Sequence, residues 1–175
     1  GLSDQYYRRI EAVEFTLQAD DGKAPWLLEE ADVILVGVSR TGKTPLSVML
    51  SQTMGLKVAN VPLVLEVPPP KELLTHHHDN SGGGVDPNKV FCLTIAPSEL
   101  KRIRTSRLER KRLVPPQGRS TNTAATENNI YQSNNNNNNN YNNRAYLLND
   151  LKNARELAAK HNWTEIDVTY RAVEE

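Results

Sequence analysis

Eight consecutive residues, Gly37-Val38-Ser39-Arg40-Thr41-Gly42-Lys43-Thr44, fit the pattern G-x-x-x-x-G-K-[S/T]. These residue types at this spacing do phosphate chemistry. Successive backbone N–H groups of such a loop surround phosphate oxygens. The following helix N-terminus adds roughly half a positive charge and unpaired N–H donors. Gly37 and Gly42 permit backbone conformations that a Cβ would block. Lys43 is placed to reach the outer phosphates of a nucleotide, and the Thr44 hydroxyl to coordinate Mg²⁺. Other chemistry-bearing residues are Asp20-Asp21 in the run Ala19-Asp20-Asp21-Gly22, and Arg104 and Arg107, three apart in a basic segment. The aspartates could hold Mg²⁺ or accept a hydroxyl proton, although Asp-Asp-Gly is also ordinary turn chemistry. The arginines could clamp a phosphate bidentately or form a solvated face. His76-His77-His78 with Asp79 invites a metal reading. Adjacent residues rarely converge on one ion, so a surface loop is the better reading.

The elements around the loop agree with it. Val33 to Val36 reads as a buried strand leading in, and Leu46, Val48, Met49 and Leu50 as part of a helix leading out. Strand, glycine-bounded loop and helix, in that order, is the context a phosphate-binding loop requires. Upstream, Tyr6, Ile10, Val13 and Leu17 fall on one face of a helix over residues 3–17, capped by Ser3 or Asp4. Residues 57–65 and 90–96 read as further strands. Asn60 lies in the first of these, either approaching a ligand from a strand end or forming a turn, and Pro62 limits that strand's pairing. Pro97-Ser98-Glu99 opens the basic helix, and residues 144–161 form another, with Tyr146, Leu147, Leu151, Ala154, Leu157 and Ala158 on its apolar face. Residues 163–169 are a short strand carrying Asp167, a catalytic carboxylate or, preferably, the cap of a last helix. The expected fold is α/β: a three-layer P-loop-like domain with a mainly parallel sheet, and the nucleotide at the carboxyl ends of the strands.

Residues 114–143 are different material, with Pro115-Pro116 and seven consecutive asparagines from Asn134 to Asn140. This segment offers little apolar surface to offset its ordering entropy and reads as a disordered insertion in one domain spanning residues 1–175. Such a tract points to a eukaryotic source. The 175 residues include 21 basic and 21 acidic side chains, so no global field steers nucleic acid or a membrane surface. No aromatic residues interleave with the basic helix, which further disfavours nucleic acid. No run of about 20 apolar residues suggests a membrane span. The single cysteine, Cys92, lies in an apolar strand and reads as a small buried residue in a reducing compartment. With no visible signal or transit peptide, the expected location is cytoplasmic or plastid stroma rather than secreted.

Gly37 to Pro45 (GVSRTGKTP), followed by Lys57 to Glu66 (KVANVPLVLE), resembles the regulatory proteins of pyruvate, phosphate dikinase and of phosphoenolpyruvate synthase. Satellite blocks agree in family order: Asp20-Asp21-Gly22, Ile103-Arg104 with Arg107, Ile166 to Thr169, and Arg171-Ala172 with Glu174-Glu175. The resemblance covers about residues 3–113 and 146–175. It implies an ADP-dependent protein kinase for a threonine of the dikinase, and a phosphate-dependent phosphorylase that reverses the modification and releases pyrophosphate. It implies ADP (or ATP), phosphate and Mg²⁺ as ligands, the dikinase or the synthase as partner, and a homodimer as a further expectation. Lys43, Asp20 and Asp21 would be catalytic, Gly37 to Thr44 would bind nucleotide, and Arg104 and Arg107 would hold phosphate or the phosphoprotein. Two departures matter. Ala19 stands where the family has histidine, and the family's N-terminal region is absent while the chain stops inside its expected last helix. The expectation is a partial chain. Two other readings keep the loop: a small-molecule kinase or nucleoside triphosphatase, and a fragment that binds nucleotide without transferring phosphate. No apolar run ending in a Walker-B-type aspartate follows the loop, which weakens the triphosphatase.

Overall fold

The computed structural model describes residues 3–75, 84–113 and 143–171. The sheet has four parallel strands: β1 (Val33–Gly37), β2 (Val58–Pro62), β3 (Val90–Thr94) and β4 (Thr164–Asp167), in the order β2-β1-β3-β4. Val33 pairs with Val58, Ile34 with Val90, and Phe91 with Thr164, each with parallel register. The chain leaves β1 toward β2 on one side, then crosses to β3 on the other. Ligands of parallel sheets bind at the carboxyl ends of the strands where the order reverses in this way. The segment that follows β1 is the glycine-bounded loop that carries the G-x-x-x-x-G-K-[S/T] pattern.

Helix α1 (Asp4–Gln18) packs on α2 (Lys43–Met54), and both border β2. A one-turn helix α3 (Lys71–Leu74) follows β2. Helix α4 (Pro97–Leu113) packs on α5 (Arg144–Lys160), which covers β3 and β4. Right-handed crossovers running in opposite directions from the centre place the two helix pairs on opposite faces of the sheet. The three-layer α/β expectation therefore holds. In the core, Ile34, Val36, Ala59, Val61, Val90 and Cys92 from the strands cluster with Phe15, Leu100, Leu147, Ala154 and Ala158 from the helices. Cys92 is fully buried, and burial pushes its thiol up to about 11, which suits a packing role.

The expected apolar face of α1 differs from the one observed. On α1 the buried residues are Ala12, Phe15 and Thr16, whereas Tyr6, Ile10 and Leu17 are exposed. On α2 they are Lys43, Ser47 and Ser51, with Leu46, Val48, Met49 and Leu50 only partly buried. Small side chains make up most of these buried positions. The buried hydroxyls stay satisfied: Ser47 donates to the Thr44 carbonyl and Ser51 to the Val48 carbonyl, both at 2.8 Å, while Thr16 accepts from the Val58 N–H. Pro62 ends β2, an edge strand, as its missing donor requires. Among the described residues, no helix is long and apolar enough to cross a membrane. The triple-histidine segment, nearly all of the asparagine-rich insertion and residues 172–175 lie outside the described residues.

Candidate active site

The loop from Gly37 to Gly42 joins the end of β1 to the start of α2. Gly37 has φ +147°, and a Cβ built there would stand 2.7 Å from the Leu93 carbonyl oxygen of β3. The residue lets the loop leave the sheet between β1 and β3 without pushing the strands apart. Arg40 and Gly42 also take positive φ, +76° and +85°, bending the loop back onto the helix axis.

Lys43 lies at the first position of α2 and is only 6% exposed. Its ammonium donates to the Val38 carbonyl at 2.8 Å, and the Thr41 hydroxyl donates to the same oxygen at 3.0 Å. The lysine thus folds into the loop it is expected to serve. Burial lowers its pKa to about 8, with the Asp21 carboxylate opposing the shift. The sign of the linkage is definite. Between pH 8 and 10.5 the unfolded chain holds a proton that the folded one has released, so stability rises with pH through that window. The melting temperature of wild type should therefore gain on that of Lys43→Met between pH 8 and 10.5. Parallel curves from thermal melts across this range would contradict the burial described here.

The acidic pair lies beside the loop. Residues Asp20–Gly22 form one turn of 3₁₀ helix after α1, with Asp21 at φ +58°. Asn60, buried in β2, holds that turn with three contacts. Its side-chain amide donates to Asp20 Oδ1, its side-chain oxygen accepts from the Asp21 N–H at 3.0 Å, and its own N–H donates to the Ala19 carbonyl at 3.2 Å. The Thr44 hydroxyl donates to the same Asp20 Oδ1 at 2.9 Å. Lys43, Thr44, Asp20 and Asp21, distant in sequence, thus meet at the carboxyl end of the sheet. Asn60 is the residue whose role the sequence left open. Its signal was a polar side chain in an otherwise apolar strand.

Hard oxygen donors of this kind suit Mg²⁺, which takes one or two carboxylates plus substrate phosphates rather than an all-protein cage. Among the described residues, no group of three or more His, Cys, Asp or Glu side chains could hold a metal. A divalent ion here would rest on Thr44 and Asp20 and complete its shell with phosphate and water.

The two arginines part company. Arg107 is exposed on α4, whereas Arg104 is 1% exposed. Arg104 donates to Asp150 Oδ2 of α5 at 3.0 Å and to the Ser39 carbonyl of the loop at 3.3 Å. Spacing alone put them on one face, but Arg104 is buried against Asp150 of α5 while Arg107 is exposed. Asp167 accepts from the Thr169 N–H and hydroxyl at 2.9 and 2.6 Å, which holds its carboxyl below the usual range. This is a capping geometry, and the residues that would continue a helix lie outside the described ones. Thr169 in turn accepts from the Ala96 N–H, which anchors the entry to α4.

A family model described as kinase/pyrophosphorylase matches residues 1–175. Pyruvate, phosphate dikinase regulatory protein 1, chloroplastic, of Arabidopsis thaliana is 40% identical over 176 residues, covering 100% of this chain and 36% of its own length. A Sorangium cellulosum protein assigned by name to the same regulatory proteins is 43% identical over 175 residues, 99% of this chain and 51% of its own length. The chain spans about half the length of the bacterial relative and about a third of the plant one. With the match running from end to end, through the loop and the acidic turn alike, the chain belongs to the kinase/pyrophosphorylase family.

Proposed function

We propose that this chain carries the nucleotide- and phosphate-handling part of a bifunctional enzyme. One activity is an ADP-dependent serine/threonine protein kinase that inactivates pyruvate, phosphate dikinase. The other is a phosphate-dependent phosphorylase that reactivates it. The observation that carries the reading is the junction of the Gly37–Thr44 loop with Asp20, made through the Thr44 hydroxyl. The names of the relatives supply the target protein.

In the forward direction the loop N–H groups and Lys43 would hold the diphosphate of ADP. Asp21 would accept the proton of the threonine hydroxyl as its oxygen attacks the β-phosphorus. The bond from that phosphorus to the bridging oxygen breaks, and AMP leaves. In reverse, inorganic phosphate attacks the phosphothreonine phosphorus, the threonine oxygen regains a proton, and pyrophosphate departs. Lys43 meets the charge that develops on the transferred group in both directions. Thr44 and Asp20 would hold Mg²⁺, which when bound neutralises charge on the phosphate oxygens. Arg107, exposed on α4, would meet the incoming phosphoprotein. The working compartment would be that of the dikinase, cytoplasm or plastid stroma.

Asp20→Asn preserves the Thr44 and Asn60 contacts in outline but removes the charge. The Mg²⁺ concentration for half-maximal transfer should rise roughly 10- to 100-fold. An unchanged Mg²⁺ titration would remove Asp20 from that role. The reading as a whole is tested in the reverse direction. Phosphorylated dikinase incubated with this chain and phosphate should release pyrophosphate and recover activity. Loss of the phosphoryl group without release of pyrophosphate, or turnover of a small-molecule acceptor with no dikinase present, would replace it with a phosphatase or a small-molecule kinase.

A further inference from the structure

Asp150 has no place in the phosphate chemistry just described, yet it is a carboxylate buried on the apolar face of α5 beside Leu147, Leu151 and Ala154. Its side chain is 5% exposed and that of its partner Arg104 is fully buried. An ion pair so placed is a poor source of stability, because desolvating both charges offsets most of their attraction. What the pair does have is a third participant. The same Arg104 nitrogen that meets Asp150 also donates to the Ser39 carbonyl, inside the phosphate-binding loop. We propose that Asp150 is a positioning residue for nucleotide binding: by fixing Arg104 it fixes the Ser39–Arg40 peptide, and with it the arrangement of loop donors that a nucleoside diphosphate meets.

The geometry of a trans peptide supplies the link. Carbonyl and N–H point in opposite directions across one planar unit. Holding the Ser39 oxygen toward Arg104 therefore turns the Arg40 N–H to the other side of the loop. Arg40 sits at φ +76°, a conformation uncommon for a side chain larger than glycine. Such a peptide keeps its orientation when something external over-determines it, and the guanidinium does so here. Arg104 can bond both partners only if its plane is fixed, and the Asp150 carboxylate on a second helix fixes it. The neighbouring turn of α5 is tied as well: the Tyr146 hydroxyl donates to Glu66 at 3.0 Å, just beyond β2. Helix α5 thus reaches the loop through Arg104 of α4. This assignment rests on the nucleotide-binding reading above and adds to it a residue from the far end of the chain.

The test separates positioning from mere packing. Arg104→Met with Asp150→Leu replaces the pair by apolar side chains, a change that buried ion pairs commonly tolerate. The double variant should melt near wild type. Its ¹⁵N order parameters at residues 39–42 should fall, and its ADP affinity should drop roughly 10- to 100-fold, the scale of losing a charged hydrogen bond. Asp150→Asn, which keeps the shape, serves the same two readings if the double variant does not fold. Leu147→Ala is the control: a packing defect in the same helix should lower the melting temperature and leave the loop's order parameters as they are. A folded Arg104→Met, Asp150→Leu or Asp150→Asn variant with unchanged order parameters at residues 39–42 would overturn the proposal. Wild type that binds no nucleotide would instead sink the functional reading, while the order parameters still decide this one.

Discussion

Lys43→Met should leave a folded protein that transfers phosphate 10² to 10³ times more slowly, roughly the effect of removing one charged donor from a developing oxyanion. The fold should not suffer for it. The lysine is 6% exposed, and its pKa is lowered from 10.5 to about 8, chiefly by burial. Below pH 8 that shift corresponds to roughly 3 kcal/mol by which the buried charge weakens the folded state. Methionine removes the charge and fills similar space, so the melting temperature at pH 7 should stay level or rise. Lost transfer with retained or raised stability is the signature of a residue kept for chemistry. Kinetics and thermal melts on one preparation read both. Transfer at the wild-type rate would place the phosphoryl group elsewhere, and a lower melting temperature would contradict the burial cost.

Gly37→Ala should have the opposite profile, a loss of fold that carries activity with it. The new methyl would lie 2.7 Å from the Leu93 carbonyl oxygen, and the φ of +147° is one that only glycine adopts readily. The obstacle is backbone at the centre of the sheet, so no side-chain rotation relieves it. A destabilisation of roughly 3 kcal/mol or more is expected, about 10 °C in melting temperature for a chain of this size. Gly42→Ala provides the contrast. Its φ of +85° is also strained, but nothing lies within 4 Å of the added methyl. Its cost should be about 1 kcal/mol, from backbone conformation alone. Equal stability losses in the two variants, measured by denaturant titration, would refute the close approach of loop and β3.

Much of the molecule was legible in its sequence where local rules act alone. The apolar, β-branched runs at Val33–Gly37 and Val90–Thr94 are strands because both of their faces are buried. The glycines and Lys43-Thr44 mark the loop because phosphate chemistry needs those types at that spacing. The face of α1 was misjudged for a tertiary reason. Periodicity marks an apolar stripe, but α1 buries Ala12, Phe15 and Thr16, and the Thr16 hydroxyl is drawn in by the Val58 N–H of β2. Asn60 was half legible: its type stood out, but its bond to Asp20 depends on β2 lying beside β1, which only the topology supplies. Arg104 and Asp150 were not legible as a pair, being 46 residues apart and joined across two helices. Nothing in either local pattern names the other as a partner.

The central claim is that this chain's loop directs the β-phosphoryl group of ADP onto a threonine of pyruvate, phosphate dikinase. The most direct test uses ADP labelled in its β-phosphate, purified dikinase, Mg²⁺, and this chain beside its Lys43→Met variant, with ATP in a parallel reaction. Label on a dikinase threonine, appearing with AMP and depending on Lys43, is the predicted result. Label that appears equally with Lys43→Met would contradict the account. So would bound ADP that leaves the dikinase unlabelled, which would make this chain a nucleotide-binding segment without transfer activity.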